Sequence, residues 1–346
     1  MENMQNDSIN PSFQAVLVDK IKQVADPSMK LSDLIMDVLE IGRDATYRRI
    51  RGDTEITFEE AVKLAKHFRI SLGEVAGYAE DSAIFKRPSF IRSIDDFRDY
   101  MQRSLEQLKS IQKQKGHAMY YFAKDIPVFY HYAFPELAGF KMYVWLKSVY
   151  GIDKLNGENY NLSMIPEDLL DLAQKQWEVY SQINSVEIWN DTTILSLINQ
   201  VAYYYEAGLL SSRDEALSIC ERFKDMMKII YKQALNSSKV HYVNREVLSP
   251  ATYKMYFHEI LIMDNHIMVE YGERKALYFI PYAGVNFLST ADPELTRNMQ
   301  DYLQHQVQKC SLISDVSEKD RNRFFIRIRS RIDQLKDKIS STDPFL

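Results

Sequence analysis

The sequence of 346 residues contains only two cysteines, Cys220 and Cys310. Two cysteines so far apart provide neither a disulfide framework nor a pair of metal-binding thiols. Because disulfides persist mainly in oxidising compartments, we expect both thiols to be reduced and buried in a cytoplasmic protein.

Long apolar runs are also missing. No stretch approaches the roughly 18 apolar residues that span a bilayer, and Met1–Asn10 is polar, without the apolar core of a secretion signal. We therefore expect no membrane partner. The hydrophobic fraction of 46% and the charged fraction of 26% are typical of a globular protein, and a chain of this length is expected to form two or three domains.

Motifs of catalysis are absent as well: there is no phosphate-binding loop, nucleophile elbow, HExxH or dinucleotide fingerprint. His258, Glu259, Asp264 and His266 invite a metal-site interpretation. A turn at Asp264–Asn265 would separate the two histidines, which favours ordinary strand and turn positions. The sequence thus predicts no enzyme, no catalytic residue, no metal and no cofactor.

Positive charge is not in excess, since the net charge is −5 and the isoelectric point is near 5.9. Any nucleic-acid binding must therefore come from a local patch. Residues 43–51 provide one, with four arginines against a single aspartate in an N-terminal region that is acidic overall.

The spacing of apolar residues within 11–80 predicts five helices. Leu31, Leu34, Ile35 and Val38 follow the i, i+3, i+4, i+7 pattern of one buried stripe. Thr57 with Glu60 three residues later is typical of a capping box that opens the next helix over 58–68. A short turn and the arginine-rich segment lie between these two helices.

A projection of 43–51 at 100° per residue separates a core-facing side from a free side. Tyr47, Ile50 and, less tightly, Thr46 are predicted to point inward. The predicted DNA-binding residues are Arg43, Asp44, Ala45, Arg48, Arg49 and Arg51. Arg48 and Arg49 can donate paired hydrogen bonds to guanine, Ala45 permits close approach, and Arg43 and Arg51 suit backbone phosphates. The alternative is a solvated face on which Asp44 pairs with Arg48.

Residues 31–75 resemble the DNA-binding domain of lambda-repressor-like (XRE-type) helix-turn-helix transcriptional regulators. The segments that carry the resemblance are Leu31-Ser-Asp-Leu-Ile35, Arg49-Ile-Arg-Gly52 and Ile56-Thr-Phe-Glu-Glu-Ala-Val-Lys-Leu-Ala-Lys-His-Phe-Arg-Ile-Ser-Leu72. The resemblance implies that 43–51 is the recognition helix. It implies nothing about the function of the large C-terminal region.

The remaining residues predict a linker and a second domain. Ile94, Phe97, Met101, Leu108 and Ile111 fall at heptad positions within 84–116, which indicates either a dimerisation helix or a helix packed on its own chain. In 119–145, 10 of 27 residues are aromatic, which favours a core, with a small-ligand pocket as the alternative. Helices are predicted at 166–183, 194–207, 213–235, 294–308 and 318–339, with a small antiparallel meander at about 253–282.

The C-terminal helix carries a second basic stripe of Arg323, Arg327, Arg331 and Lys338. Long cationic side chains beside a buried apolar stripe account for this pattern, because their stems cover apolar surface while their charges stay in water. The alternative is that this stripe binds a phosphate or another anion.

The predicted fold class is therefore mainly α. It comprises an N-terminal five-helix helix-turn-helix domain at 11–80, a linker or dimerisation helix at 84–116, and a mostly helical regulatory domain at 117–346. The predicted function is sequence-specific regulation of transcription, with double-stranded DNA and a second copy of the chain as partners and with room for a small-molecule or protein effector. The alternative is a protein-interaction scaffold whose helix-turn-helix no longer binds DNA.

Overall fold

The computed structural model describes residues 12–25, 29–77, 82–152, 155, 157–260, 264–272 and 275–341. The chain divides into two compact units, Met1–Ala83 and Ile84–Leu346. The predicted domain start at residue 11 and domain end at 78–80 lie outside the described residues.

The described part of the first unit contains five helices around a small apolar core. Leu17 and Ile21 of the first helix meet Ile35 and Leu39 of the second and Leu64 of the fourth, and all five side chains are buried. The apolar spacing that predicts helices also supplies this core, because residues three and four apart share one helix face. The helices are α1 (Phe13–Val24), α2 (Leu31–Leu39), α3 (Arg43–Arg51), α4 (Phe58–Phe68) and α5 (Leu72–Val75).

The second unit combines helices with a single mixed sheet. Its helices are α6 (Ile94–Gln112), α7 (Val128–His131), α8 (Pro135–Val144), α9 (Glu167–Tyr180), α10 (Leu195–Glu206), α11 (Arg213–Asn236), α12 (Pro293–Val307) and α13 (Glu318–Ser341). Helix α8 continues into a π-helical turn, Trp145–Val149, and Leu162–Met164 form a 3₁₀ turn. The strands are β1 (Ala118–Phe122), β2 (Ser185–Trp189), β3 (Ser238–Val240), β4 (Leu248–Phe257), β5 (His266–Tyr271), β6 (Lys275–Ala283), β7 (Asn286–Thr290) and β8 (Ser311–Leu312).

This sheet overturns the predicted fold class. The molecule is 56% helical and 15% strand, and its eight strands run in the order β3-β4-β2-β1-β5-β6-β7, with β8 against β4. Strand β2 lies parallel to both β1 and β4, and the other pairs are antiparallel. The prediction of a mainly α fold with a small antiparallel meander is therefore wrong.

The error has two physical sources. Strands β1 and β2 are five residues long and mostly buried, so they lack the alternation of buried and exposed residues that marks a strand with one wet face. The predicted meander makes β4 a neighbour of β5, but β4 pairs with β2, and β2 and β1 separate it from β5. The predicted pairing of β5 with β6 is present. Residues 261–263 and 273–274, which fall within the predicted meander, lie outside the described residues.

Helix α6 packs within the second unit, chiefly against α9. Its predicted heptad residues Phe97, Met101, Leu108 and Ile111 are buried in the main core of that unit. Most aromatic side chains of 119–145 are buried as well. The apolar stripe of the predicted linker is thus covered by its own chain.

Candidate nucleic-acid interface

Helices α2 and α3 form a tight helix-turn-helix. The turn is Glu40-Ile41-Gly42, in which Glu40 adopts the left-handed conformation (φ 55°) and Gly42 is the N-cap of α3. Gly52 ends α3 at φ 83° and donates its N–H to the carbonyls of Arg48 and Arg49. Because a residue without a Cβ adopts positive φ at little cost, Gly52 is suited to this position.

The inner side of α3 differs from the predicted one. Thr46 is fully buried, whereas Tyr47 is 43% exposed; its hydroxyl accepts from Ser32 Oγ of α2 at 3.4 Å, so Tyr47 faces that helix as predicted without being buried by it. Burial of Thr46 leaves no polar group unpaired, because its hydroxyl donates to the Gly42 carbonyl at 3.1 Å. Ile50 packs at the edge of the apolar core as predicted.

Arg49 is held by the body of the first unit. Its Nε and Nη2 atoms donate to the Glu60 carboxylate at 3.1 and 2.9 Å, and the two side chains are only 16% and 18% exposed. A paired geometry of this kind is among the stronger contacts of arginine with a carboxylate. Arg49 therefore acts as a clamp between α3 and α4, although the sequence predicts it to be a base-contacting residue.

The same carboxylate completes the capping box of α4. The backbone N–H of Thr57 donates to Glu60 Oε2 at 2.9 Å, and the N–H of Glu60 donates to Thr57 Oγ1 at 3.2 Å. Burial acts to raise the pKa of Glu60, but the hydrogen bonds from Arg49 and Thr57 outweigh it, so that the pKa lies below its usual value. The charged form of Glu60 thus contributes to joining the two helices.

Gln14 of α1 fixes the far end of α3. Its Nε2 atom donates to the carbonyls of Arg49 and Thr54 at 2.7 and 2.9 Å, and its Oε1 atom accepts from the Ile56 N–H at 2.8 Å. One amide therefore pairs with one carbonyl of the last turn of α3 and with two backbone groups of the segment that follows it. The C-terminal half of α3 is thus tied to both α1 and α4, and its outer face stays free of these contacts.

The outer face of α3 carries the remaining predicted residues. Arg43, Asp44, Arg48 and Arg51 are exposed and Ala45 is half-buried. Arg43 lies 3.8 Å from Asp33, and Arg51 lies 3.0 Å from Asp53; such exposed pairs are weak and are readily exchanged for another anion. Arg48 has no ion-pair partner among the described residues, so the alternative pairing with Asp44 is not formed there.

The basic stripe of α13 has a different environment. Arg327 pairs with Asp191 at 3.0 Å and lies over the ring of Phe257. Arg331 donates to the backbone carbonyl of Asp191, and Lys338 pairs with Glu206. Arg323 is exposed. Three of the four cations predicted to bind an external anion therefore contact acceptors of their own unit.

Sequence reasoning missed a buried polar cluster at the centre of the sheet. Glu187 of β2 accepts hydrogen bonds at Oε1 from Tyr130 and Tyr180, and at Oε2 from Trp189 and Tyr253, at 2.5–3.0 Å. Lys239 Nζ lies 3.5 Å from the same carboxylate, and both charged side chains are fully buried. The only signal in the sequence is a single charged residue inside each of two short apolar strands.

The electrostatics of this cluster follow from burial. Loss of water lowers the pKa of Lys239 to about 8, although the nearby Glu187 opposes the shift. Burial, reinforced by the Glu187 charge, raises the pKa of Tyr130, Tyr180 and Tyr253 well above the usual value. Because neither charged side chain is exposed to solvent, the cluster offers no surface to a substrate.

Comparisons with known proteins identify no relative: no family model, no curated protein and no solved structure matches the chain. No helix within the described residues is long and apolar enough to cross a membrane. Among those residues there is also no group of three or more His, Cys, Asp or Glu side chains that could hold a metal ion. The geometry of α3 is therefore the observation from which a function can be argued.

Proposed function

We propose that the protein is a cytoplasmic, sequence-specific DNA-binding regulator of transcription in which α3 enters the major groove. The observation that supports this proposal is the exposed cationic face of a helix whose inner side is fixed by Thr46 and by the Arg49–Glu60 pair. Arg48, at the middle of that face, is exposed and has no ion-pair partner among the described residues, so its guanidinium is free to meet an external acceptor. The major groove supplies such acceptors at the guanine edge.

Each residue of the face has a separate role in this proposal. Arg48 reads a base, Ala45 allows the helix backbone to approach the groove, and Asp44 can accept from cytosine N4. Arg43 and Arg51, at the two ends of α3, contact phosphates and exchange their weak pairs with Asp33 and Asp53 for them. Arg49 is a positioning residue: its pair with Glu60 sets the orientation of α3, and this orientation determines how the exposed residues of α3 meet DNA.

We further propose that two copies act together. One nine-residue helix presents a small surface, and tight specific complexes with DNA bury considerably more. A symmetric dimer would place two α3 helices about 34 Å apart, one turn of the double helix, over two half-sites. The second unit is the region that remains for dimerisation and for sensing an effector.

The test begins with selection of tight-binding duplexes from a random DNA pool by the full chain. Binding to the selected duplex is then measured by gel shift and fluorescence anisotropy over a series of salt concentrations. Arg48→Ala is expected to weaken binding about tenfold and to relax sequence preference at one position per half-site, because a paired contact to a base contributes about 1–3 kcal/mol. Lys63→Ala, which removes one exposed charge from α4, is the matched control and is expected to leave base preference unchanged.

Two outcomes would overturn the proposal. If no duplex is enriched and none is retarded even at low salt, the protein-interaction scaffold with a helix-turn-helix that no longer binds DNA becomes the better interpretation. If a duplex binds but Arg48→Ala binds it with unchanged affinity and preference, α3 is not the reading helix. A falling affinity with rising salt is expected in every DNA-binding case, since phosphate contacts release counterions.

A further inference from the structure

A cavity of about 270 Å³ opens on the second unit between helix α6, the sheet and the segment that precedes α6. Lys86 in that segment forms a backbone bridge to Ser289 of the edge strand β7, with hydrogen bonds of 2.7 and 3.1 Å. The segment is therefore fixed as one wall of the cavity. Nothing in the proposed reading of DNA uses this site.

The floor of the cavity is a continuous apolar face of the sheet. In the strand register, Met119 lies beside Val269, Tyr121 lies beside Ile267, and Ile267 lies beside Phe279. All five side chains line the cavity, and Leu108 and Ile111 of α6 add the apolar side wall. A face of this kind suits the apolar body of a ligand, since binding sites for small molecules are lined mainly by apolar and aromatic groups.

The rim of the cavity has charge of a single sign. Lys86, Arg87 and Arg103 line it and are exposed, and no aspartate or glutamate is among the described residues that line it. None of these three cations has an ion-pair partner within the described residues. The α13 stripe and the outer ends of α3 differ in this respect, because acidic groups or carbonyls of the protein lie against their cations. The rim thus favours an anionic group.

A buried polar atom is the second, independent indication of a ligand. Asn286 lines the cavity and is only 1% exposed, and its Oδ1 atom is buried without a hydrogen-bond partner in the described residues. A buried amide oxygen without a hydrogen bond destabilises the protein, and because this oxygen only accepts, an O–H or N–H group of a bound molecule would remove that cost. The amide therefore provides a polar contact point next to the apolar floor.

We propose that this cavity binds a small amphipathic anion, with its apolar body on the sheet, a hydroxyl or N–H group of that body at Asn286 Oδ1, and its carboxylate at Lys86, Arg87 and Arg103. The volume is slightly below the roughly 300–1,000 Å³ range of sites for drug-sized molecules, so the ligand is small. A guanidinium recognises a carboxylate through paired hydrogen bonds, which explains arginines rather than lysines at two of the three positions. This proposal stands apart from DNA binding and holds even if α3 reads no DNA.

The cavity near α12 is a weaker candidate for such a ligand. It is lined by Lys254 together with Glu270 and by several glutamines, and Gln300 donates to Glu270 at 2.9 Å. Its polar groups thus include both signs of charge and partly satisfy each other. In the cavity beside α6, by contrast, the charged side chains among the described lining residues are all positive, and none of them is paired with another lining side chain.

Isothermal titration calorimetry and thermal unfolding of the full chain test the proposal with decanoate as the probe. The concentrations are kept where light scattering shows decanoate to be monomeric. Decanamide has the same apolar body without the charge, and acetate has the charged group without the body. We expect decanoate to bind saturably, with a Kd at least about tenfold lower than that of either control, and to raise the Tm of the second unit.

Variants locate the binding. The double substitution Arg87→Ala/Arg103→Ala, at exposed positions where folding is not at risk, is expected to raise the Kd for decanoate about tenfold. Arg329→Ala on α13 removes another exposed arginine of the same unit and is expected to leave the Kd unchanged. The absence of both saturable heat and a rise in Tm would overturn the proposal. Equal binding of decanamide, or an unchanged Kd in the double variant, would overturn it as well.

Discussion

Helices α3 and α13 carry similar basic patterns in the sequence but meet different surroundings. On α13, Arg327, Arg331 and Lys338 contact Asp191 or Glu206 of the same unit. On α3, Arg49 alone is drawn into a mostly buried pair, and Arg48 faces solvent without a partner in the described part of the chain. The comparison teaches that a cluster of cations indicates a binding surface only after the acceptors within the protein have been assigned.

The largest expected effect concerns the clamp of α3. Arg49→Ala removes one partner of a mostly buried pair and leaves Glu60 without its main hydrogen-bond donor. Breaking a fully buried pair costs about 3–5 kcal/mol, and the residual exposure of this pair reduces the expected loss to about 2 kcal/mol. Differential scanning calorimetry should show the transition of the first unit about 10 °C lower. Arg48→Ala, one residue away, is the matched control and should melt like the natural protein.

If Arg49→Ala melts normally but Arg48→Ala does not, the assignment of the two arginines is reversed. If both melt normally and both lose DNA binding, Arg49 contacts DNA directly and the sequence-based interpretation is correct for it. DNA binding by Arg49→Ala is best measured at a temperature where circular dichroism shows the first unit to be folded.

A smaller effect is expected from acid. The pKa of Glu60 is lower in the folded protein than in the unfolded chain, so the unfolded chain binds more protons near and below its usual pKa of 4.5. The stability that the charged carboxylate contributes is therefore present above pH 4.5 and is lost as the pH falls through the lowered folded pKa. Denaturant unfolding from pH 6 to pH 3 should show a steeper loss for the natural protein than for Glu60→Gln. Parallel curves for the two proteins would contradict the clamp.

The smallest effect is expected on α13. Arg327→Ala breaks a pair whose two side chains are 39% and 41% exposed, and exposed pairs contribute about 0.2–1 kcal/mol. We expect a shift of at most a few degrees in the transition of the second unit and unchanged DNA affinity in the anisotropy assay. Weaker DNA binding by this variant would show that the α13 stripe is also a nucleic-acid surface, and the contrast with α3 would fail.

Local signals in the sequence predict most of the helices well. The helix predicted at 213–235 is α11 at Arg213–Asn236, and the one predicted at 318–339 is α13 at Glu318–Ser341. The capping box of Thr57 and Glu60 is present as predicted. These features depend on residues a few positions apart, so a single segment contains all the information they need.

What could not be predicted depends on partners that are distant in sequence. Met119 and Ser185 are neighbours in a parallel pair although 66 residues separate them, and no turn marks such a pairing. Arg49 meets Glu60 on another helix, and Arg327 meets Asp191 from a helix more than a hundred residues later. A helical projection shows which side chains share one face of a helix, but the residues that pack against that face come from distant parts of the sequence and are not visible in it.

The buried carboxylate of Glu187 has a consequence for strand alignment. Strand β2 is joined to its neighbours β1 and β4 by long connections, so no tight hairpin sets its position along them. A slip of β2 by one residue would bring Val186 or Ile188 to the place of Glu187 and leave Lys239 and the surrounding donors without an acceptor. We infer that this one acid selects the register of the central parallel strands, because only one alignment of β2 places a carboxylate among these donors.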